Sequence, residues 1–237
     1  YYDWPGMSPF EHQMATAAFC TYYNRGFIFN DMGTGKTASL LWAADFVMRE
    51  ELMQRVLIVS PLSTLNLVWR SEIFKVFPQR TAQVLHGSRQ QRFERLAQPV
   101  DFYIVNHDGL EIIEKEIIAR KDIDTLFYDE ASVLRNAGTN KWKCMRRILA
   151  ARPDMRVYLA SGTPCPNSPT DAWALARLVS PHLVPPYFGS FRRKTMMQVS
   201  TFKWVPREEG YRIAYEAMQP AIRYKKEDCL DLPPLTF

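Results

Sequence analysis

A glycine-rich segment, DMGTGKT at residues 31–37, separates a short apolar run from an amphipathic one. A turn of this composition between a strand and a helix directs backbone N–H groups and the positive end of the helix dipole toward an anion, often a phosphate. Lys36 would reach the β and γ phosphates of a nucleotide, and Thr37 would hold Mg²⁺. The full phosphate-loop pattern has a first glycine where this chain has Asn30, so a chance match in an ordinary loop is the alternative. The segment predicts a nucleotide site made by Met32, Gly33, Thr34, Gly35, Lys36 and Thr37.

Two adjacent carboxylates, Asp129 and Glu130, follow the apolar run TLFY at residues 125–128. At the end of a strand, one acid can join the Mg²⁺ shell while the next orients and deprotonates an attacking water. An isolated Asp-Glu pair is more often a solvated turn. Its position after a buried run and downstream of a phosphate loop favours a hydrolytic site instead.

A third polar group, Ser161, Gly162 and Thr163, follows the apolar run VYLA. Its two hydroxyl groups are suited to hydrogen bonds across a strand tip to the acidic pair, where they would sense a γ phosphate. The alternative is a simple turn, because glycine, serine and proline are common turn formers.

Seven short apolar or β-branched runs alternate with segments of helical period, and each run can be a strand. Alternating strands and helices predict an α/β fold with a predominantly parallel sheet, flanked by helices on both faces, and ligands at the carboxyl ends of the strands. All three polar groups would then lie at one edge of the sheet. Residues 181–220 interrupt the pattern and predict an elaboration that contains a helix near 207–219. The predicted strands are residues 26–30, 55–60, 82–86, 101–105, 124–129, 156–161 and 221–225.

Composition indicates a globular chain, since 47% of its 237 residues are hydrophobic. The sequence has neither an apolar run of about 18 residues nor a signal peptide, so no membrane span is expected. The first residue is not methionine, which suggests a fragment or a processed piece. The four cysteines are scattered, and we expect them to be reduced and not to bind metal.

The net charge is +5, and the basic residues cluster in three segments, at residues 140–147, 191–194 and 222–228. Such clusters can bind the phosphate backbone of a nucleic acid. They can equally be solvated helix faces or strand ends, which is the more common case.

In this order, the polar groups resemble the motifs of the first RecA-like lobe of superfamily 2 helicases, and in particular of the Swi/Snf-like double-stranded DNA translocases. The resemblance covers nearly the whole chain, and the family's motif I also lacks the first glycine. Two segments favour the Swi/Snf-like branch, the one around motif III and the one that resembles the link to a second lobe. The matching segments are EHQMATAAF (Q motif), DMGTGKT (motif I), VLIVSPLSTLNLVWRSEIFKVF (motif Ia, with Trp69 and Glu72), YIVNHDGL, LFYDEASVLRN (motif II), LASGTPCPNSPTDAWALARLVSP (motif III) and IRYKKEDCLDLPP (the link).

The resemblance implies a RecA-like P-loop NTPase in which residues 1–237 form a single ATP-binding lobe. The elaboration would span about 181–220, and about 226–237 would begin the link to a second lobe. That lobe and its arginine finger would lie beyond this chain, and an arginine finger contributes about 10³ to 10⁵ in rate. The lobe alone should therefore bind nucleotide and hydrolyse it slowly. One departure is Ser132, which replaces the family's usual histidine and puts in doubt how the nucleotide state is coupled to DNA.

The resemblance also assigns roles to residues. ATP and Mg²⁺ would be bound together, with Lys36, Asp129 and Glu130 catalytic and Thr37 and Asp129 on the metal. Gln13 would join the glycine-rich loop in binding the nucleotide. For His107, a position in a helix cap region is the alternative. The residues expected to contact DNA or to couple it to the nucleotide are Ser63, Thr64, Asn106, His107, Ser161, Gly162 and Thr163.

The implied function is an ATP-dependent motor that moves along double-stranded DNA without regard to base sequence, because its contacts would be to the backbone. Two alternatives are a strand-separating superfamily 2 helicase or restriction-type motor, and a nucleotide-gated interaction module without productive turnover. Ser132 and the missing second lobe give the module some support. It is disfavoured by the intact Lys36, Thr37, Asp129 and Glu130, because a protein that only binds nucleotide need not keep both a metal-side and a water-side acid. We expect a cytoplasmic location in a prokaryote or a phage-infected host, or a nuclear one in a eukaryote.

Overall fold

Seven parallel strands form one sheet in the computed structural model, which describes residues 2–163, 165 and 167–229. The order across the sheet is β3-β4-β2-β5-β6-β1-β9, and every pairing in it is parallel. The predicted α/β fold is confirmed, because each of the seven predicted runs overlaps one of these strands. Their bounds are β1 Arg25–Ile28, β2 Arg55–Ser60, β3 Ala82–Leu85, β4 Phe102–Asn106, β5 Ile123–Tyr128, β6 Arg156–Ala160 and β9 Ala221–Ile222.

Helices cover both faces of the sheet. Residues of α1, α2 and α3 pack in one hydrophobic cluster, together with a π-helical segment at Leu65–Arg70, and residues of α4 to α10 pack in the other. The helices are α1 Glu11–Tyr22, α2 Lys36–Arg49, α3 Ser71–Val76, α4 Arg89–Leu96, α5 His107–Ile112, α6 Glu114–Ala119, α7 Asn140–Ala151, α8 Asp171–Val179, α9 Phe188–Thr195, α10 Gly210–Ala217 and α11 Lys226–Cys229.

The central strand β2 shows why the predicted strands are apolar on consecutive positions. Val56 and Ile58 belong to the cluster under α1 to α3, whereas Leu57 and Val59 belong to the cluster under α4 to α10. Successive side chains of a strand point to opposite faces, so a sheet covered on both faces buries all of them.

The segment 181–220 differs in part from its prediction. The predicted helix near 207–219 is present as α10, but the segment also contains α9 and an antiparallel hairpin of β7 (Met196–Gln198) and β8 (Trp204–Pro206). Each hairpin strand has only three residues, too few to show an alternating pattern in the sequence. Residues 230–237, in which most of the predicted link falls, lie outside the described part of the chain.

Asp45 of α2 is a fully buried acid that joins three segments. Its carboxylate accepts a hydrogen bond from Tyr2 Oη at 2.8 Å and forms ion pairs with Arg49 and Arg80, both at 2.8 Å. The charge is thus compensated by two guanidinium groups, and it fixes α2 to the N-terminal segment and to the turn before β3.

Among the described residues, none of the helices combines the length and the apolar composition that a membrane span requires.

Replacing Asp45 with asparagine should lower the free energy of unfolding by about 3 kcal/mol, because a fully buried charge that pairs with the partly buried Arg80 is removed. We expect the lower end of the range for buried pairs, since Arg80 keeps a second contact with Asp101. Urea denaturation measures the effect. Asp3→Asn, which removes an exposed pair with Arg49, is the matched control and should cost less than about 1 kcal/mol. Equal losses in the two variants would contradict the structural role of Asp45.

Candidate nucleotide-binding site

The loop between β1 and α2 has the backbone of an anion-binding turn. Gly33 and Gly35 have φ angles of 83° and 78°, in the left-handed region that favours glycine. Gly35 is also the N-cap of α2, and a Cβ placed on it would lie 2.0 Å from Gln13 Nε2. The loop therefore brings its backbone and the positive end of a 14-residue helix to one point.

Two buried side chains of α1 brace this loop. His12 Nε2 donates to the carbonyl oxygen of Thr34 at 2.9 Å, and Gln13 Nε2 approaches the same oxygen at 3.4 Å. Gln13 Oε1 also accepts from the backbone N–H of Phe10 at 3.0 Å. Gln13 thus lies at the wall of the loop, where the sequence placed it. His12 was not predicted as a site residue. Its position directly before Gln13 in the Q motif was the feature of the sequence that could have indicated it.

Lys36 folds back over the loop. Its Nζ donates to the carbonyl oxygens of Asn30 and Asp31, at 2.7 and 3.1 Å. Burial lowers the pKa of the Lys36 ammonium, while the carboxylates of Asp129, Glu130 and Asp31 act in the opposite direction and raise it. Two of the three donors of an ammonium are accounted for, so the third can serve a ligand.

The acidic pair follows β5 directly. Asp129 N donates to Val59 O at 2.8 Å, which extends the pairing of β5 with β2 by one residue. Its carboxylate accepts from Trp69 Nε1 at 3.2 Å and from the N–H of Glu130 at 3.0 Å. The sequence placed Trp69 in motif Ia without assigning it to the site. Its indole fixes the orientation of the first acid.

Glu130 is held in a strained backbone conformation. Its φ of 54° and ψ of 48° are left-handed, which costs a residue with a side chain about 1–3 kcal/mol. Burial and the neighbouring Asp129 raise the pKa of the Glu130 carboxyl, and Lys36 lowers it. A carboxylate with a raised pKa is a better proton acceptor near neutral pH.

The two strand tips share one cavity. β1 and β5 are separated only by β6, and because all three are parallel, their carboxyl ends lie at the same edge. The cavity has a volume of about 460 Å³, within the range of small-molecule sites. It is lined by Met7, Gln13, Met32, Gly33, Gly35, Lys36, Thr37, Ala38, Thr64, Val68, Glu72, Asp129 and Glu130.

Thr37 and Asp129 line the cavity with oxygen atoms of the kind that bind magnesium, whose remaining ligands would be phosphate oxygens and water. Each carboxylate oxygen of Asp129 accepts one hydrogen bond, so each keeps a lone pair. Within the described ranges, no cluster of three or more His, Cys, Asp or Glu residues forms a metal cage. Mg²⁺ suits such a site, because it commonly uses one or two protein oxygens together with phosphates and water.

The third polar group lies beside the phosphate loop. Ser161 is buried at the end of β6, and its Oγ accepts from the N–H of Thr163 at 3.3 Å. A Cβ on Gly162 would lie 3.8 Å from Met32 N. Thr163 is exposed. The loop that contains Gly162 therefore lies against the phosphate loop.

The four remaining predicted residues have different environments. Ser63 is exposed, whereas Thr64 lines the cavity. Asn106 is buried, and its Oδ1 accepts from Arg92 Nη1 at 3.2 Å. His107 starts α5, as its alternative interpretation had it, stacks on Tyr128 and donates from Nε2 to the carbonyl oxygen of Asp129 at 2.9 Å.

Asn30, at the position of the missing glycine, connects three parts of the site. Its Nδ2 donates to Thr16 Oγ1 of α1 at 2.8 Å, and its Oδ1 accepts from the N–H of Tyr224 at 3.1 Å. Asp31 next to it accepts from the N–H of Lys226 at 3.1 Å. The phosphate loop is thereby fixed to the segment that follows β9.

Comparison with known proteins decides the family. Residues 12–233 match the family model described as "SNF2-related domain". The chain belongs to this family. The resemblance to Swi/Snf-like proteins that was inferred from the motifs is confirmed.

Relatives of the SNF2-related chain are several times longer than it is. It is 26% identical over 179 residues to the human DNA excision repair protein ERCC-6-like, covering 70% of this chain and 14% of that protein. It is 25% identical over 166 residues to the ATP-dependent DNA helicase DDM1 of Arabidopsis thaliana, covering 67% of this chain and 21% of that protein. For the human chromatin-remodeling ATPase INO80, the identity is 27% over 169 residues, covering 67% of this chain and 10% of that protein.

Two solved structures share the fold of this SNF2-related chain. The Sulfolobus solfataricus SWI2/SNF2 ATPase core in complex with dsDNA matches with a TM-score of 0.79 at 18% identity, covering 98% of this chain and 48% of that one. The core domain alone matches with a TM-score of 0.73 at 19% identity. The chain spans about half of that core.

Proposed function

We propose that this chain is the ATP-binding first lobe of a DNA translocase, which couples ATP hydrolysis to movement along double-stranded DNA. The observation that carries the proposal is the single cavity shared by Lys36 and the pair Asp129 and Glu130. Membership of the SNF2-related family supports it, as do the names of the relatives, which include an ATP-dependent DNA helicase and a chromatin-remodeling ATPase.

Each part of the site has a role in hydrolysis. The loop N–H groups and the start of α2 bind the β and γ phosphates, and Lys36 adds a positive charge. Glu130 orients the attacking water and accepts its proton as the water oxygen bonds to the γ phosphorus. The bond from that phosphorus to the β–γ bridging oxygen breaks, so that ADP leaves with the bridging oxygen. Thr37 and Asp129 would hold Mg²⁺, which, when bound, offsets the negative charge of the phosphates.

The coupling of the nucleotide to DNA has a route through His107. Ser132 cannot reproduce the ring of the family's usual histidine, but His107 donates to the backbone carbonyl of Asp129 from the start of α5. Burial lowers the pKa of this imidazole, which favours the neutral ring with its proton on the donating nitrogen. A shift of α5 on DNA would thus change the position of the acidic pair.

DNA would contact the carboxyl edge of the sheet through its phosphates. Ser63 and Thr163 are exposed there and have hydroxyl groups for phosphate oxygens. Thr64 and Ser161 lie nearer the phosphate loop, so we assign them to coupling instead. Completion of the site requires a second lobe with an arginine finger, which would lie outside this chain.

A DNA-stimulated ATPase assay on the full-length protein tests the proposal. We expect duplex DNA of any base sequence to raise the rate of ATP hydrolysis at least tenfold. Single-stranded DNA should stimulate less if the motor tracks a duplex. A rate that does not change with DNA would contradict the proposal and favour the nucleotide-gated module.

Gly35→Ala should reduce affinity for ATP by about tenfold or more. The new methyl group would collide with Gln13 Nε2, and the left-handed φ costs a residue with a side chain about 1–2 kcal/mol. Titration with a fluorescent ATP analogue measures the change. Gly189→Ala is the matched control, because a Cβ there meets only Arg193 Nη1 at 3.8 Å and α9 favours alanine. A similar affinity in both variants would contradict the role of Gly35.

A further inference from the structure

The β7–β8 hairpin ends in an exposed aromatic side chain. Val199 N donates to Lys203 O at 2.9 Å, and Lys203 N donates to Ser200 O at 3.3 Å, which closes a tight turn. Phe202 lies within this turn and is 94% exposed. No contact of the hydrophobic core therefore accounts for a phenylalanine at this position.

The hairpin and the end of α9 carry positive charge alone. Residues 188–207 contain five basic side chains and no acidic one. Among the described residues, no carboxylate forms an ion pair with any of the five. Arg193, Lys194 and Lys203 are exposed. In the described part of the chain, the one hydrogen bond made by their charged groups is a weak contact of Arg193 Nη2 with Ser190 Oγ at 3.4 Å. The five are Arg192, Arg193, Lys194, Lys203 and Arg207.

The other two basic clusters are neutralised in part, since carboxylates pair with two of the four basic side chains at 140–147 and with one of the three at 222–228. In α7, Lys141 pairs with Asp108 and Arg147 pairs with Glu114, both at 2.5 Å. In the segment after β9, Lys225 pairs with Glu227 at 3.1 Å. Of the three clusters found in the sequence, the one at 191–194 is the one without any ion pair among the described residues, which favours it as the contact for an anionic partner.

The base of the hairpin is rigid. The Arg192 guanidinium lies over the Trp204 ring at 4.0 Å from its centroid, and Arg207 Nε donates to the carbonyl oxygens of Arg193 and Met196 at 3.0 and 3.1 Å. These contacts join α9 to β8. They fix the positions of the charges before any partner binds, which reduces the entropy lost on binding.

The hairpin starts at the edge of the sheet where the candidate site lies. A Cβ on Gly210, which begins α10, would lie 2.4 Å from Thr195 O and 3.3 Å from Pro169 Cγ. Pro169 belongs to the loop between β6 and α8, at the carboxyl end of β6. The hairpin and the loop with Ser161 and Thr163 therefore share one edge.

We propose that this hairpin is a DNA-contact element that recognises an unpaired base next to a duplex. Its cations bind the phosphates of the backbone, and the Phe202 ring stacks on the base. An uninterrupted duplex offers the ring no base face, because its bases are stacked on one another. The inference rests on the proposed function for the presence of DNA at this edge, and it adds a preference for forked or branched DNA.

Binding of the full-length protein to two labelled DNAs tests the inference, by fluorescence anisotropy. One is a duplex, and the other is a fork of the same sequence with unpaired arms. Phe202→Ala should weaken binding to the fork about tenfold and binding to the duplex less than twofold. Lys203→Ala should weaken both to the same extent and make the logarithmic salt dependence shallower by about one.

Two variants are the matched controls. Tyr22→Ala removes a highly exposed aromatic side chain from α1, and Lys121→Ala removes an exposed lysine just before β5, at the amino edge. Neither should change binding to either DNA. The thermal unfolding midpoint of Phe202→Ala should equal that of the unchanged protein, since the ring is outside the core.

Two outcomes would overturn the inference. One is an unchanged preference for the fork in Phe202→Ala, including the case in which binding to both DNAs weakens equally, and the other is binding of polyglutamate as tight as that of the fork. Duplex-stimulated ATPase activity separates these from failure of the proposed function. Stimulation without any effect of Phe202 contradicts only the hairpin proposal, whereas absent stimulation contradicts the motor.

Discussion

Glu130→Gln is expected to lower kcat for ATP hydrolysis by about 10²- to 10⁴-fold, the usual contribution of a general base. Glutamine has nearly the same shape, but it cannot accept the proton of the attacking water. Its left-handed backbone is unaffected, because the substitution changes only the end of the side chain. Affinity for ATP should stay within about threefold, so the variant should trap the nucleotide-bound state.

Steady-state ATPase rates and equilibrium ATP binding, both on the full-length protein, separate the two effects. Glu72→Gln is the matched control, because Glu72 is a second glutamate that lines the same cavity. We expect Glu72→Gln to reduce kcat less than fivefold. If the two variants lost activity equally, the proton would be accepted by another group.

Lys36→Ala is expected to weaken ATP binding by at least about 100-fold. Among the residues that line the cavity, Lys36 is the one cation, and it faces three carboxylates at Glu72, Asp129 and Glu130. Without it, the negative triphosphate would meet a negative cavity. A charge-assisted hydrogen bond contributes about 1.5–3 kcal/mol, and part of the effect is the loss of loop contacts to Asn30 and Asp31.

Isothermal titration with ATP and Mg²⁺ measures this loss. Lys226→Ala is the matched control, since Lys226 lies near the loop, with its Cε 3.8 Å from a Cβ placed on Gly33, but does not line the cavity. We expect it to change the affinity less than threefold. An equal loss in both variants would mean that the overall positive charge near the loop, and not the position of Lys36, determines binding.

Local sequence patterns predicted the parts of this protein that depend on neighbouring residues. The apolar runs became strands because a sheet covered on both faces buries consecutive side chains, as Val56 to Val59 show. Gly33, Gly35 and Lys36 could be assigned because a strand, a turn with positive φ and a helix start lie within a few residues of one another. The position of Asp129 and Glu130 at the end of β5 could be predicted for the same reason, because the pair directly follows the apolar run that forms this strand.

Contacts between distant segments were decided by the tertiary structure. Asn30 meets Thr16 and Tyr224, which are 14 and 194 residues away, and Trp69 meets Asp129 across 60 residues. Hydrogen bonds of this kind leave no periodic signal in the sequence. They form only when packing brings their partners together. The same holds for the hairpin, whose three-residue strands are stabilised by each other and by the contact of Arg192 with Trp204.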